Sequence, residues 1–304
     1  MDIHQLRVFC SVYKNRSFSK ASRELFLSQP TVSDHIKSLE EALDSRLFDR
    51  LGRSIAPTKE SAILYPRAVE LIEKLDAIRS DLRLERAEPS GELLVGASPM
   101  PGSFLVPRAA ASFRRLYPGV SFRLVIRESR AITDMVMDHE LPVGIVGARM
   151  ERKALEFTSL ADDDLILVCA SGLTAGPVRT EDLPAIPMVT REEGSGTKMT
   201  ADEYFASKGV HSGKLNVVAS FNSTEAMVEA IKSGLGAGVL PRLYVAPELK
   251  KGALREIKIR GLRMRQNFYI LSHRKKTLPG VLRLFLEHLK TEASGLKTAL
   301  KNPS

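Results

Sequence analysis

Residues 17–43 read SFSKASRELFLSQPTVSDHIKSLEEAL, two helical patterns separated by the polar turn LSQP. Ser28 is placed to cap the second helix with its hydroxyl, and Pro30 suits a first turn, where no intrahelical N–H is needed. From there Val32, Ile36, Leu39 and Leu43 share one face, Pro30, Asp34, Lys37 and Glu41 lie opposite, and Thr31, Ser33 and Ser38 flank them. Upstream, Leu6, Phe9, Cys10 and Tyr13 recur at helical spacing and predict a first helix ending near Asn15. A short second helix follows from about Ser19 to Phe26, with Ala21 and Leu25 turned inward. Helix, short turn and amphipathic helix with a small polar N-terminus is the helix-turn-helix arrangement. Such a helix enters the major groove by its first turn, where short side chains let amides and hydroxyls reach phosphates and base edges. Ser28, Gln29, Pro30, Thr31, Ser33, Asp34, His35 and Lys37 are therefore candidate DNA contacts. The following RLFDRLGRSIAPT predicts a basic wing: Leu47 and Phe48 anchor it, Gly52 turns it, and Arg50 and Arg53 at its tip reach toward the DNA backbone or minor groove. By pattern alone, the arrangement also fits a three-helix bundle that binds protein.

Residues 3–58 resemble the DNA-binding domain of LysR-type transcriptional regulators nearly throughout. The resemblance rests on Ser17, Phe18 and Ala21 at their S-F-x-x-A spacing, the SQP-x-V-S block Ser28 to Ser33, the L-E-x-x-L of Leu39 to Leu43, the LF-x-R of Leu47 to Arg50, and Thr58 after the wing. It departs at Ser22, where a second alanine is usual, at Asp44, where glycine often ends the helix, at Ser61, where glycine commonly follows the threonine, and at Asp34, where many members place a basic or amide side chain. A carboxylate at Asp34 is repelled by phosphates but can accept from a cytosine amino group, so this departure bears on specificity.

At 304 residues the chain predicts two or three structural units, and 43% hydrophobic with 27% charged residues predicts a soluble globular protein. No apolar run spans a membrane, and the start MDIHQLRVFC is amphipathic rather than a signal region, which predicts a cytoplasmic location. Cys10 and Cys169 match no metal-ligand spacing and predict buried free thiols. The net charge of +9 is uneven. Residues 1–60 carry ten Lys/Arg against eight acids, whereas residues 250–276 carry ten against the single Glu256. In that second run Ile257 and Ile259 alternate with Lys258 and Arg260, as on a strand with one solvated face.

Between 59 and 88, Leu64, Ala68, Leu71, Leu75, Ile78 and Leu82 recur at spacings of 4, 3, 4, 3 and 4. This narrow a/d seam predicts dimerisation through a linker helix, the alternative being packing on the N-terminal bundle. Pro66 lies inside it and predicts a kink or a fresh helix start. The stretch RAEPSGE, 86–92, then reads as a hinge.

Beyond the hinge, strand patterns at 92–97, 120–126, 143–147, 165–170, 215–220 and 237–240 alternate with helical stretches at 103–116, 129–138, 197–208 and 223–233. Such alternation predicts parallel sheets flanked by helices, with a cleft where strand ends face one another. The loops GASPMPGSFLVP and TREEGSGT each follow a strand and open a helix, placing Ser98, Gly102, Ser103 and Ser195, Gly196, Thr197 at helix N-termini. Glycines, hydroxyls and helix N-termini together suit an anion, although either loop could equally be an ordinary capped turn. Neither matches a P-loop or a dinucleotide fingerprint.

The family resemblance implies a fold of α plus α/β class. It comprises a winged helix-turn-helix at 1–58, a linker helix at 59–88, an effector-binding domain at 89–294, and a tail at 295–304. The effector domain would be two-lobed and α/β, of the periplasmic-binding-protein-like type 2 fold. Lobe I would take 92–161 and 267–293, lobe II 162–266, with crossing strands near Leu165 to Ala170 and Asn267 to Leu271. Members responding to small anions in sulfur assimilation and carbon fixation carry a similar RE-x-GSGT loop. On that basis Ser98, Met100, Gly102, Ser103, Thr190, Ser195, Gly196 and Thr197 are candidate effector contacts, with Gly147, Ala148, Phe221 and Asn222 beside them. The implied partners are promoter DNA, a small anionic effector, further copies of the chain as homodimer or homotetramer, and RNA polymerase. No cofactor, metal or membrane partner is implied. An enzyme is not expected: no G-x-S-x-G elbow occurs and the six histidines show no ligand spacing.

Overall fold

A computed structural model describes residues 1–51, 54–84, 89–171, 176–274 and 276–301, with some side chains near the wing, the linker end and the C-terminus left out. The chain divides into two compact units, Met1–Glu88 with Lys275–Arg283, and Pro89–Arg274 with Leu284–Ser304. Among the described residues no helix is long and apolar enough to cross a membrane.

The first unit is built from helices α1 (Ile3–Asn15), α2 (Phe18–Glu24) and α3 (Gln29–Leu43), strands β1 (Phe48–Leu51) and β2 (Ser54–Pro57), and helix α4 (Lys59–Leu84). Each short helix begins at a side-chain cap: Asp2 with Gln5 in a capping box, Ser17 accepting from the Lys20 N–H, and Ser28 accepting from the Thr31 N–H. Phe9, Val12, Ala21, Val32, Leu39 and Leu47 fill the core behind them. β1 and β2 pair antiparallel as the wing. The departures from the family pattern are accommodated locally. Asp44 ends α3 in the left-handed region at φ 46°, which Asp tolerates better than most residues. Ser22 donates to the Ser19 carbonyl, and the fully buried Ser61 hydroxyl donates to that of Leu47.

Helix α4 runs unbroken through Pro66, so no fresh helix start forms there. Its first half is held by the bundle: Tyr65 stacks on Tyr13 at 4.2 Å, and Arg7 reaches Asp76 at 2.6 Å. The predicted seam accordingly splits. Ala68 is fully buried and Leu64 packs against the same core, so these two serve the bundle rather than a dimer. Leu71, Ile78 and Leu82 remain exposed and Leu75 half-buried. The segment Lys275–Arg283 clusters with this unit rather than with the C-terminal lobe expected from sequence, and its Lys276 pairs with Glu73 of α4 at 2.5 Å.

The second unit contains β3 (Gly91–Ala97), α5 (Pro99–Leu116), β4 (Val120–Ile126), α6 (Ser129–Met137), β5 (Gly144–Val146), β6 (Leu155–Ala170), β7 (Met188–Arg191), α7 (Gly196–Ala206), β8 (Val217–Phe221), α8 (Thr224–Lys232), β9 (Gly238–Pro241), α9 (Arg242–Lys250), β10 (Leu254–Ile257), β11 (Met264–His273) and most of α10 (Gly280–Lys301). The backbone of α10 continues to Lys301, so 295–301 are helix rather than tail. β3 pairs parallel with β4 and β5, and β7 parallel with β8. The main sheet, ordered β10-β6-β11-β5-β3-β4 with β9 also on β6, is nevertheless mixed rather than parallel. All of β11 runs antiparallel to Leu155–Leu165 of the longer β6, with a register shift between Phe268 and Tyr269, while the end of β6 pairs with β9 and β10.

Separate apolar clusters lie at the two ends of this ribbon. One joins Ile132, Val136, Leu141, Val146, Leu155 and Leu271; the other is built around Leu167, Phe205 and Ile257, with Val168, Ile231 and Leu240 on the opposite sheet face. In the basic run, Ile257, Ile259, Met264 and Gln266 are buried while Lys258, Arg260, Arg263 and Arg265 are exposed, so the charge there is a solvated strand face.

Candidate functional site

Two surfaces carry the sequence-predicted functional residues. On α3, Ser28, Gln29, Pro30, Asp34 and Lys37 are exposed and Thr31, Ser33 and His35 half-exposed, while Val32, Ile36 and Leu39 are buried on the opposite face. The small polar groups are held in place before any contact. Ser28 Oγ lies 2.7 Å from Thr31 Oγ1, and the Ser19 hydroxyl of α2 donates to Gln29 Oε1 at 2.9 Å. His35 packs edge-on against His4 of α1 at 4.7 Å. Lys37 pairs loosely with Glu41 at 3.8 Å, a contact weak enough to leave the ammonium available. Phe26, expected at the end of the second helix, instead sits in the turn after it at φ 54° and is 95% exposed. Of the wing arginines, Arg50 is described only as backbone in β1, and Arg53 lies outside the described residues.

The second surface is a narrow cleft between α5 and α6 on one side and β7, α7, α8 and α9 on the other. Ser98, Met100, Ser195, Gly196 and Thr197 line it, and so do Glu128, Ser129, Arg191, Thr224, Tyr244, Gln266 and Phe268. The first five are at the loops read from sequence; the others were not anticipated. α5 and α7 start there after Ser98 and Ser195, and neither serine caps its helix with its side chain. The Gly196, Thr197 and Lys198 N–H groups of α7 thus lack the side-chain partner that Ser28 supplies in α3, whereas in α5 Pro99 and Pro101 carry no N–H and only that of Met100 is left.

One peptide organises the polar lining. The Gly147 N–H donates to Ser98 Oγ at 3.1 Å and to Ser129 Oγ at 3.3 Å. Gln266 Nε2 donates to the Gly147 carbonyl at 2.8 Å, and the Thr197 hydroxyl donates to Gln266 Oε1 at 3.2 Å. Glycine is required at two points of closest approach: a Cβ on Gly147 would lie 2.6 Å from Gln266 Nε2, and one on Gly196 would lie 2.7 Å from Ser129 Oγ and 3.0 Å from the Gly147 backbone. Across the cleft the Arg130 N–H donates to the Gly194 carbonyl.

Arg191 is the cation of this site, and it is only 4% exposed. Its guanidinium donates to Glu128 Oε1 at 2.6 Å, to Glu192 Oε2 at 3.1 Å, to the Thr224 hydroxyl, and to the carbonyls of Phe221 and Asn222 at 3.1 and 3.3 Å. Burial pushes the Glu128 carboxyl above its ordinary range, Arg191 opposing the shift and Glu192 adding to it. Asp163 of β6 accepts from the Leu243 N–H at the start of α9, and burial pushes its carboxyl up to about 6 against that hydrogen bond. Tyr244 donates to Glu225 at 2.7 Å; burial first, then this bond, raises the phenol.

Several predicted effector residues lie elsewhere. Gly102 is buried against Ile126 and Ala97, where the missing Cβ lets α5 settle on the sheet, and Ser103 is exposed one position further on. Ala148 lines a separate groove with Arg149, Tyr204, Arg265 and Tyr269, and Gly147 stands between the two, its N–H and carbonyl holding the cleft-lining Ser98, Ser129 and Gln266. Thr190 lines a neighbouring cavity with Met188, Ala201 and Phe205, and its neighbour Arg191 borders both that cavity and the cleft. Phe221 packs into the core, and it and Asn222 reach the site only through their carbonyls. Cys10 and Cys169 are free, and burial pushes the Cys10 thiol up to about 12. Among the described residues no group of His, Cys, Asp or Glu is placed to hold a metal ion.

Residues 3–62 match the family model described as a bacterial regulatory helix-turn-helix protein of the lysR family, and residues 86–294 match the model described as a LysR substrate binding domain. The chain is 31% identical over 288 residues to the uncharacterized HTH-type transcriptional regulator YeiE of Escherichia coli K12, covering 94% of this chain and 96% of that protein. Among solved structures, a full-length OxyR variant from Pseudomonas aeruginosa aligns with a TM-score of 0.75 at 18% identity, covering 96% of this chain and 94% of that one. The regulatory domain of Synechocystis CcmR, solved in complex with 2-PG, aligns with a TM-score of 0.62 at 22% identity, covering 68% of this chain and 99% of that one.

Proposed function

Because the chain belongs to the LysR family of transcriptional regulators, with a DNA-binding helix-turn-helix and an effector-binding domain, we propose that its effector is a small oxyanion bound in the cleft between α5 and α7. The observation that supports this reading is the uncapped N-terminus of α7 opening onto a lining of buried hydroxyls, with the single first-turn N–H of α5, that of Met100, at the same cleft. Unpaired N–H groups at a helix start carry partial positive charge and are preorganised for oxygen ligands. Arg191 is already matched by two carboxylates, so neutral donors do the holding: Ser98, Ser129, Ser195 and the first amides of α7. The RE-x-GSGT likeness to anion-responsive members supports the same assignment.

On DNA, α3 reads the major groove through Ser28, Gln29, Thr31, Ser33 and Asp34. Lys37, His35, Arg50 and Arg53 add contacts to the phosphates. The exposed line Leu71, Ile78 and Leu82, with Leu75 beside it, pairs two copies of α4 into a homodimer that presents two recognition helices to half-sites of a palindrome. Effector binding shifts DNA occupancy by a coupling of about 1–3 kcal/mol.

Titration calorimetry of the full-length chain with inorganic phosphate, sulfite and sulfate tests the effector reading, and binding of none of them removes it. A gel shift on the DNA upstream of its own coding region tests the DNA reading, with a change in retardation on adding the bound anion as the expected outcome. Ile78→Glu is expected to convert a dimer to monomer by light scattering. A variant that remains dimeric overturns the α4 pairing.

A further inference from the structure

Resting on the anion reading above, we infer that the cleft selects oxyanions that still carry a proton at neutral pH, and that Glu128 is the residue that accepts it. Among the fifteen residues lining the cleft, Glu128 and Arg191 are the only charged ones. A site for a bare anion is expected to offer an unmatched cation. Here the cation is buried, and Glu128 and Glu192 both receive its N–H groups, so the two carboxylates outnumber it. Glu128 stands at the start of α6 yet does not cap it, and its side chain is 18% exposed and turned to the cleft. Arg191 donates to its Oε1, and the Glu192 carboxyl lies at hydrogen-bond distance beside it, so a ligand at Glu128 meets a site already rich in acceptor oxygens.

An ionised carboxylate is acceptor-only. Facing a fully deprotonated anion, it repels across a poorly hydrated gap. Facing an oxyanion with an O–H, it makes a short charge-assisted O–H···O⁻ bond. The same site therefore discriminates by the ligand's proton rather than by its size. Inorganic phosphate carries that proton through neutrality and sulfite carries it in part, whereas a phosphomonoester, with a second pKa of about 6, is mostly bare and sulfate is bare. A second acceptor lies in the same cleft: the Thr197 hydroxyl spends its hydrogen on Gln266 Oε1, which leaves its oxygen facing the ligand as lone pairs. Burial already holds the Glu128 carboxyl above its ordinary range, so it takes up a proton more readily than an exposed glutamate when the ligand brings none.

Phosphate and sulfate are nearly isosteric, which makes them the decisive pair. Calorimetry of the full-length chain at pH 7.5 is expected to give phosphate at least a tenfold tighter Kd than sulfate. Sulfate affinity is expected to rise as pH falls toward 5, with about one proton taken up per sulfate bound, read from the dependence of the heat on buffer ionisation enthalpy. Glu128→Gln, which keeps the shape and adds an N–H donor, is expected to bring the two anions within threefold. Equal binding of both by the unaltered chain overturns this inference while leaving the anion reading standing, and so does a preference that Glu128→Gln does not change. Binding of neither anion, or of sulfite, overturns both. The unaltered chain supplies the first comparison, so a misfolded variant does not decide the outcome.

Discussion

The helix starts of the two units are solved in opposite ways. At α3 the N-terminus is closed by its own serine: Ser28 accepts from the Thr31 N–H, and what faces outward is a row of side chains. At α7 the preceding serine leaves the Gly196, Thr197 and Lys198 amides uncapped, and at α5 Ser98 likewise makes no cap, although two prolines leave only the Met100 N–H there; both helix starts line the cleft. At α9 the start is capped from another element, by the carboxylate of Asp163. A closed helix end is a finished platform for reading a surface as large as a DNA groove. An open one is an unfinished site, because buried N–H groups without partners cost roughly 1–3 kcal/mol each until something supplies an oxygen. The contrast separates recognition by displayed side chains from recognition by backbone.

The largest expected effect comes from filling the narrowest point of the open site. Gly196→Ala puts a methyl 2.7 Å from Ser129 Oγ and 3.0 Å from the Gly147 backbone, and backbone cannot move aside cheaply. We expect a loss of about 1–3 kcal/mol in thermal or urea unfolding and no measurable anion binding by calorimetry. Full retention of both would mean that α7 can retreat and that the open end is less tightly framed than its contacts suggest.

The α9 cap gives the next effect, and it depends on pH. The Asp163 carboxyl, pushed up to about 6 from an unfolded value of 3.8, contributes stability that is complete below about 4 and is lost as pH rises through 6. Asp163→Asn keeps an acceptor for the Leu243 N–H and carries no charge to bury. Its stability relative to the unaltered chain should be near zero at pH 4 and reach at most about 3 kcal/mol above pH 7, measured by urea unfolding across that range. A constant difference at every pH would show that the Asp163 carboxyl titrates alike in the folded and unfolded states, so that burial does not shift it.

Ser28→Ala and Ser195→Ala sharpen the comparison directly. Removing Ser28 is expected to cost about 1 kcal/mol of stability, because it uncaps α3. Removing Ser195 is expected to cost less than about 0.5 kcal/mol, because no cap bond is lost, while weakening anion binding. Equal stability losses would erase the distinction. The smallest effect in overall affinity is expected at Asp34→Ala, where total DNA binding changes little but discrimination at one base pair falls by about 1–3 kcal/mol, read from a panel of operator variants. Uniformly tighter binding would instead mark Asp34 as a charge that phosphates merely tolerate.

The first unit was the more legible of the two. Its helices follow from local signals, Ser28 as cap, Pro30 in the first turn and the Val32, Ile36, Leu39 face, all within one turn of the residues they organise. The cleft is assembled by pairing between distant segments. Its loops at Ser98 and at Ser195 to Thr197 could be read because strand-to-helix turns have local chemistry. Glu128, Ser129 and Gln266 could not, since only the long β6–β11 ribbon brings them opposite α7. Arg191 was within reach: it stands beside Thr190 at the end of β7, inside the loop quoted. The linker seam misled in its first half because a heptad repeat does not say whether its partner is another copy or the bundle at hand. Ala68 and Leu64 found the bundle.

The Gly147 peptide, finally, acts as a hub that fixes which way four side chains face. Its N–H occupies a lone pair on both Ser98 and Ser129, so each of those hydroxyls has its hydrogen left to give outward. Its carbonyl holds the Gln266 amide in one orientation, and that amide in turn commits the Thr197 hydrogen. The donor or acceptor identity of every one of these groups is set by a residue that has no side chain. Substitutions at Ser98, Ser129, Thr197 and Gln266 will therefore fail to combine additively, and this set can change its ligand preference only as a block.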